Sequence, residues 1–169
     1  MKSKLLPSIV LASICLIVIL LLAIVNSVTA PVISEAEDRK VQESLAKMLP
    51  DGVNFVEIST DGLPEGIVGV YTEDGGGYVF RIETKGYKSG LVIMCGIDSN
   101  GNVVNADYIS SNETLSKEVG LGEQYVGMNQ KNFAPEIISG ATKTTQAYAD
   151  AIKAALDAFE MFTNKEDAQ

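Results

Sequence analysis

The segment LVIMCGI-DSNG-N-VVNADYIS, residues 91–110, sets the architecture of this chain. Its first part, Leu91–Ile97, and its last part, Val103–Ser110, are both strand-like. Between them, Asp98-Ser99-Asn100-Gly101 has hairpin chemistry, because Asn-Gly supplies the positive φ angles that tight hairpin turns require. The segment therefore predicts two antiparallel strands joined by a short turn.

Three further strand-like segments precede this hairpin, at about 55–59, 67–72 and 78–84. Gly75-Gly76-Gly77 opens a strand and lacks the Lys-Ser/Thr of a phosphate loop, so we assign it to a turn. The last segment, from about Lys143 to Phe162, has one apolar stripe at helical spacing, which predicts a helix packed on the sheet. The sequence predicts an α+β fold, with an antiparallel sheet packed with helices.

A long uncharged segment follows Lys2 and Lys4 and continues to Ala30. Its most apolar part, Leu5–Val25, would reach about 30 Å as a helix, which matches the hydrocarbon thickness of a bilayer. We expect one transmembrane helix, with a cleaved signal peptide ending at Val28-Thr29-Ala30 as the alternative. The positive-inside rule then places the N-terminus in the cytoplasm and the soluble part outside the cell membrane.

The sequence predicts four parts, of which residues 1–30 are the N-terminal cytoplasmic tip and the transmembrane helix. Residues 31–50 are predicted to be an amphipathic connector helix that starts with a capping box at Ser34 and Glu37. Residues 51–163 are predicted to be one extracytoplasmic domain, and residues 164–169 a frayed tail. The part beyond the membrane is about 135 residues long, which suits a single compact domain.

The composition excludes several classes of function. The chain has 13 basic and 22 acidic residues and a net charge of −9, and such a surface would repel nucleic acid. It has no histidine, and its two cysteines fall in the membrane segment and in an apolar strand. Cys/His zinc sites, iron–sulfur clusters, His-ligated haem and Ser-His-Asp triads therefore lack their residues, and we predict no metal site. We also assign no catalytic residue. Any redox chemistry must come from an organic cofactor.

The strongest functional signal is a hydroxyl at the start of the last helix. Ser139-Gly140-Ala141-Thr142 directly precedes the helical pattern, where backbone N–H groups and the helix dipole favour a phosphate. Thr142 can hold a phosphorylated ligand there, reversibly or covalently. The alternative is that these four residues only cap the helix.

A second candidate lies in the long polar connection from Asn112 to Gln130. A connection of this length in a small domain is often a binding loop. Gly120 and Gly122 would let the backbone approach a flat ring, and Leu121 could pack on the face of that ring. The alternative is a surface loop with two glycine turns.

Both segments are similar to motifs of one known family. Ser139-Gly140-Ala141-Thr142 resembles the flavinylation motif Asp-x-x-Ser/Thr-Gly-Ala-Thr/Ser, with Glu136 in place of Asp. The segment from Glu118 to Gly122 is similar to the Glu-Thr-Pro-Gly-Leu-Gly segment of the same domains, with Val119 in place of Pro. With its single membrane helix, the chain resembles the FMN-binding domain family, as found in the FMN-carrying subunits of the Rnf complex, an ion-translocating ferredoxin:NAD oxidoreductase, and of the sodium-pumping NADH:quinone oxidoreductase.

The resemblance implies that FMN is bound covalently, by a phosphoester to Thr142. Because an alcohol is a weak nucleophile at neutral pH, a separate flavin transferase would attach the FMN. Ser139 can then cap the first helical turn, and Lys143 can add a charge-assisted contact to the phosphate. Asn112-Glu113-Thr114 offers a second alignment for the Glu-Thr pair, so either Glu113 or Glu118 could lie nearer the flavin. The implied cofactor-binding residues are Thr142, Ser139, Gly140, Ala141, Lys143, Thr144, Glu118, Gly120, Leu121 and Gly122.

The function implied by the resemblance is electron transfer through FMN between neighbouring redox centres of a larger, ion-translocating membrane complex. The other subunits of that complex would be the partners, and the chain would have no independent catalytic activity. Two alternatives stay open: a standalone membrane-anchored extracytoplasmic flavin carrier, and a non-redox membrane-anchored binding or assembly module.

Overall fold

The computed structural model describes residues 11, 14–21, 41–113 and 118–166 and divides the chain into two compact units, Met1–Gln42 and Glu43–Gln169. In the first unit, residues 14–21 are helical, and their side chains are all apolar and exposed. Within the described ranges, no helix has both the length and the apolar character needed to span a bilayer. Most of the predicted span Leu5–Val25 lies outside those ranges, as do the cleavage alternative Val28-Thr29-Ala30 and the capping box at Ser34 and Glu37.

The second unit is built on one five-stranded antiparallel sheet. Its strands are β1 (Val56–Ile58), β2 (Ile67–Thr72), β3 (Tyr78–Lys85), β4 (Ser89–Ile97) and β5 (Val103–Ser110). Each strand pairs with the next strand along the chain, so the order across the sheet is β1-β2-β3-β4-β5. The predicted antiparallel meander is confirmed.

The turn between β4 and β5 confirms the predicted hairpin, although only Gly101, and not Asn100, takes the positive φ angle that the sequence predicted for this pair. The Asp98 N–H donates to the Asn102 carbonyl oxygen at 2.9 Å, and Gly101 has a φ of 81°. Oδ1 of Asp98 also accepts the N–H groups of Asn100 and Asn102, at 2.9 and 2.8 Å. Partial burial disfavours the charge on Asp98, but these hydrogen bonds outweigh it and hold the pKa of the carboxyl below its ordinary value.

The glycines at 75–77 form the turn between β2 and β3, as predicted. The Glu73 carboxylate accepts the N–H groups of Gly75 and Gly77, at 2.7 and 2.9 Å. The triplet therefore has its own local carboxylate as a hydrogen-bond acceptor and is a structural turn.

One face of the sheet carries the main core, beneath helix α2 (Thr142–Glu166). Phe80 in β3 pairs with Val70 in β2 and with Cys95 in β4, and all three side chains are fully buried on this face. Burial raises the pKa of the Cys95 thiol, so this cysteine stays protonated and unreactive. Helix α2 contributes its apolar stripe to the same core, chiefly Tyr148, Ile152, Ala155, Leu156 and Phe159.

The opposite face of the sheet is covered by α1, which is the part of a helix at residues 41–48 that belongs to this unit, residues 43–48. Leu45 and Met48 are almost completely buried, and a Cβ atom at Gly96 in β4 would overlap the Met48 carbonyl oxygen. The Lys47 ammonium pairs with the Asp107 carboxylate in β5. The end of the segment assigned by sequence to a membrane connector thus packs on the sheet, because Gly96 leaves space for its backbone.

Two elements differ from the sequence-based expectation in extent. Helix α2 begins one residue before the predicted Lys143 and continues to Glu166, so its last turns include Asn164 from the segment predicted to be a frayed tail. The predicted loop from Asn112 to Gln130 contains a short 3-10 helix, Leu121–Tyr125. The 3-10 helix is ordered by packing, since its Leu121 and Tyr125 side chains are buried.

Candidate functional site

The start of α2 is built from a tight turn that presents free backbone donors. The Ala141 N–H donates to the Ile138 carbonyl oxygen at 3.1 Å, and Gly140 has a φ of 82°. The first helical bond runs from the Thr145 N–H to the Ala141 carbonyl oxygen, at 2.9 Å. The N–H groups of residues 142–144 therefore precede the hydrogen-bond ladder of the helix, where they can meet an anion.

The residue at the N-cap position of α2 cannot satisfy those donors itself. Ala141 occupies that position, and alanine has no side-chain acceptor, whereas Ser, Thr, Asp and Asn are the favoured caps. Ser139, which the sequence suggests as a cap, is exposed and lies two residues earlier. Thr142 is exposed, and a Cβ atom at Gly140 would meet nothing within 4 Å among the described residues. The open space and the free donors fit a phosphate bound to the Thr142 hydroxyl.

Glu113 ties this helix start to the turn between β3 and β4. Its Oε2 accepts a hydrogen bond from Oγ1 of Thr144 at 2.9 Å, and its Oε1 accepts the Lys88 N–H at 3.1 Å. A Cβ atom at Gly86 would lie 2.6 Å from Oε1 of Glu113 and 3.2 Å from the Thr144 Cα. Three separate segments of the chain therefore meet at the first turn of α2.

Lys143 and Tyr87 meet at the surface of this junction. The Lys143 ammonium lies 5.9 Å from the centre of the Tyr87 ring, and that tyrosine is 63% exposed. An exposed cation–π contact contributes about 0.5–1 kcal/mol. A hydrogen bond to a charged group contributes about 1.5–3 kcal/mol, so a phosphate on Thr142 would compete successfully for the ammonium.

The glycine-bearing segment is held tightly against the sheet and α2. A Cβ atom at Gly122 would overlap the Ala106 carbonyl oxygen of β5 and would lie 3.2 Å from the Tyr148 hydroxyl. Gly120 has a φ of 76° and opens the 3-10 helix. Leu121, which the sequence predicts to pack on a flavin ring, is only 5% exposed and belongs to the core. The close approach enabled by Gly122 is to protein backbone.

The 3-10 helix packs on α2 through stacked aromatic rings. The rings of Tyr125 and Tyr148 are nearly parallel, with centroids 5.6 Å apart, and the Phe133 ring also stacks with Tyr125, at 6.1 Å. Burial raises the pKa of both tyrosine hydroxyls, and the Asp150 charge adds to the effect at Tyr125. These tyrosines are neutral packing groups.

The two candidate glutamates occupy different environments. Glu118 is 4% exposed, and its Oε2 has no hydrogen-bond partner among the described residues. Glu113 is the carboxylate that contacts the first turn of α2.

The sequence analysis did not identify Gly86 and Tyr87 as residues near this helix start. The pattern that could have indicated them is a glycine followed by an aromatic residue in the turn between two strands.

The β3–β4 turn, the glycine-bearing segment and the start of α2 thus lie within one continuous stretch of the chain. Residues 86–157 match the FMN-binding domain family. The match begins at Gly86 and includes Tyr87, Glu113 and the whole Ser139–Thr142 motif. No curated protein matches this chain.

The family match supports FMN as the cofactor and a redox-related role as a flavin-binding electron carrier. When bound, FMN supplies one- or two-electron transfer, and the protein orients the ring and tunes its potential. The turn at 138–141 and the donors of residues 142–144 are suited to its phosphate.

Proposed function

We propose that this chain is a membrane-anchored electron-transfer flavoprotein that carries FMN through a phosphoester bond to Thr142. The observation that carries the proposal is the exposed Thr142 hydroxyl at the start of α2, beside N–H groups that no side chain of the described residues caps. The match to the FMN-binding domain family covers this position and supports the identity of the ligand.

The covalent bond requires help from a second protein. Among the described residues no carboxylate is hydrogen-bonded to the Thr142 hydroxyl, because the Glu113 carboxylate is bonded to Thr144 instead, and a hydroxyl is a weak nucleophile. In the proposed reaction, a flavin transferase uses FAD, Oγ1 of Thr142 forms a bond to the FMN phosphorus, and AMP leaves as the pyrophosphate bond breaks. The hydroxyl proton passes to the transferase or to water.

The chain's own residues then hold the attached phosphate. The N–H groups at 142–144 donate to its oxygens, and the Lys143 ammonium neutralises its charge. Because electron transfer alone requires no general acid or base, the absence of histidine from the sequence is compatible with this role.

We further propose that the chain works within a larger membrane complex, as the FMN-carrying subunit of an Rnf-type ion-translocating oxidoreductase. The exposed apolar side chains of residues 14–21 support a membrane anchor, and Lys2 and Lys4 support a cytoplasmic N-terminus with the flavin domain outside. A tethered cofactor would also resist loss from an external compartment. The other redox subunits and the flavin transferase are the proposed partners.

The test of the covalent site is a peptide mass. The full chain is produced in cells with an active flavin transferase and digested, and the peptide containing Thr142 is weighed. We expect an added mass equal to FMN less one water, and flavin fluorescence that stays with the chain on a denaturing gel. Thr142→Val is the matched variant and should lack both signals. An unmodified wild-type peptide would refute the proposal and favour the assembly-module alternative.

The test of the complex is its composition. The tagged chain is purified from its native membranes in mild detergent, and the co-purifying proteins are identified by mass spectrometry. We expect other redox subunits in fixed stoichiometry. A flavinylated chain that purifies alone would instead establish a standalone carrier.

A further inference from the structure

The β3–β4 turn is fixed in position relative to the first turn of α2, which begins at Thr142. Gly86 allows the turn to contact the Thr144 backbone, since a Cβ atom there would lie 3.2 Å from the Thr144 Cα. The Glu113 carboxylate bridges the Lys88 N–H on the turn and the Thr144 hydroxyl on α2. The turn and the helix start therefore behave as one local unit.

Tyr87, at the tip of this turn, presents an aromatic ring to solvent. Within residues 41–113 and 118–166, it is the only exposed aromatic side chain, and no ring of those residues stacks on it. Its contact is the Lys143 ammonium, 5.9 Å from the ring centre. Lys143 directly follows Thr142, so the ring contacts the side chain next to the proposed attachment point.

We propose that the Tyr87 ring is the stacking surface for the flavin ring of FMN held on Thr142; this inference rests on the proposed function. The electron-rich phenol and the electron-poor flavin are both flat, and offset stacking of such rings is favourable. When Lys143 turns to the phosphate, it leaves the Tyr87 face open to the flavin. Lys143 thus binds the phosphate of the ligand, and Tyr87 stacks on its flavin ring.

The burial of Leu121 favours this assignment. Leu121 belongs to the core and offers little surface to a ligand, whereas Tyr87 is exposed. Exposure also means that substitution of Tyr87 leaves the core intact. A change in the flavin signal of a Tyr87 variant would therefore report the ligand environment.

The experiment measures flavin fluorescence and visible circular dichroism per covalently bound FMN. The full chain is flavinylated by a co-expressed transferase, and the FMN content of each variant is first established by peptide mass and absorbance. A stacked phenol quenches the excited flavin by donating an electron, so the wild type should fluoresce weakly. Tyr87→Leu should raise the fluorescence several-fold and reduce the flavin dichroism.

Two variants separate stacking from other causes. Tyr87→Phe keeps the flat surface but cannot donate the electron, so its fluorescence should rise while the dichroism stays near that of the wild type. Tyr71→Phe alters a tyrosine in β2, paired with Val79 and Glu57 on neighbouring strands, and should change neither signal. Equal fluorescence per FMN in the wild type and Tyr87→Leu would overturn the stacking proposal, whereas absence of FMN from the wild type would overturn the proposed function itself.

Discussion

Thr144 and Glu113, 31 positions apart in sequence, are joined by a hydrogen bond from Oγ1 of Thr144 to Oε2 of Glu113 at 2.9 Å. Thr144 is 4% exposed, so the bond is largely shielded from water. It fixes the first turn of α2 to the connection that follows β5. The start of α2 is therefore held by tertiary contacts, since its own N-cap residue, Ala141, has no side-chain acceptor.

Glu113→Ala should destabilise the domain by about 1–3 kcal/mol, because the variant leaves the buried Thr144 hydroxyl without its acceptor. Glu113→Gln keeps an acceptor oxygen and should lower the free energy of unfolding by less. Urea unfolding of the full chain measures both effects. In a double-mutant cycle with Thr144→Val, the sum of the two single losses should exceed the loss in the double variant. Strict additivity would show that the bond contributes nothing to stability.

Ala141→Ser should stabilise the chain without FMN by about 1 kcal/mol, since serine at the N-cap accepts one of the free N–H groups of the first turn. The same hydrogen bond would occupy a donor that we assign to the phosphate. Thermal unfolding of chain produced without the flavin transferase measures the gain, and FMN content with the transferase present measures the cost. A gain in stability with unchanged FMN content would show that the phosphate does not use that donor. Ser139→Ala is the control and should leave thermal stability nearly unchanged.

Local sequence chemistry was sufficient to predict most of the fold. The alternating strand patterns, the Asp98–Gly101 turn and the apolar stripe of α2 each depend on neighbours in sequence, and the structure confirms the meander and the helix. The Thr142 motif could be located in the same way, because a helix start is a local feature.

Contacts between distant segments could not be predicted from sequence. Nothing near Glu113 indicates that its carboxylate meets Thr144, and nothing near Gly96 indicates that α1 packs above it. Because glycines flank Leu121, the sequence predicts that its side chain contacts a ligand. In the structure, Gly122 instead allows the backbone to approach the Ala106 carbonyl oxygen, and Leu121 packs in the core. A glycine motif indicates that the backbone approaches another group closely, but it does not indicate whether that group is a ligand or another part of the protein.

Asp98→Asn should lower stability at neutral pH by about 1 kcal/mol or less, because the charge is partly exposed and solvent screens it. Its hydrogen bonds hold the pKa below the ordinary value of 3.8, so the ionised form stabilises the fold above that pH. This contribution declines as pH falls below 3.8 towards the folded-state pKa. Urea unfolding from neutral to acidic pH should therefore show the wild type and the variant converging in acid. A constant difference at all pH values would assign the effect to geometry alone.

Gly122→Ala should be among the most disruptive single-methyl substitutions in the domain. The new Cβ atom would overlap the Ala106 carbonyl oxygen, and a backbone atom in a sheet pairing cannot rotate away as a flexible side chain can. The 3-10 helix must then move away from β5, which we expect to lower the free energy of unfolding by about 3 kcal/mol.

Gly120→Ala is the matched control, because its φ of 76° strains an alanine but its Cβ atom would meet nothing within 4 Å among the described residues. That variant should cost only about 1–2 kcal/mol, the penalty of the left-handed conformation. Equal losses in the two variants would show that backbone strain, and not contact with β5, is what requires glycine in this segment.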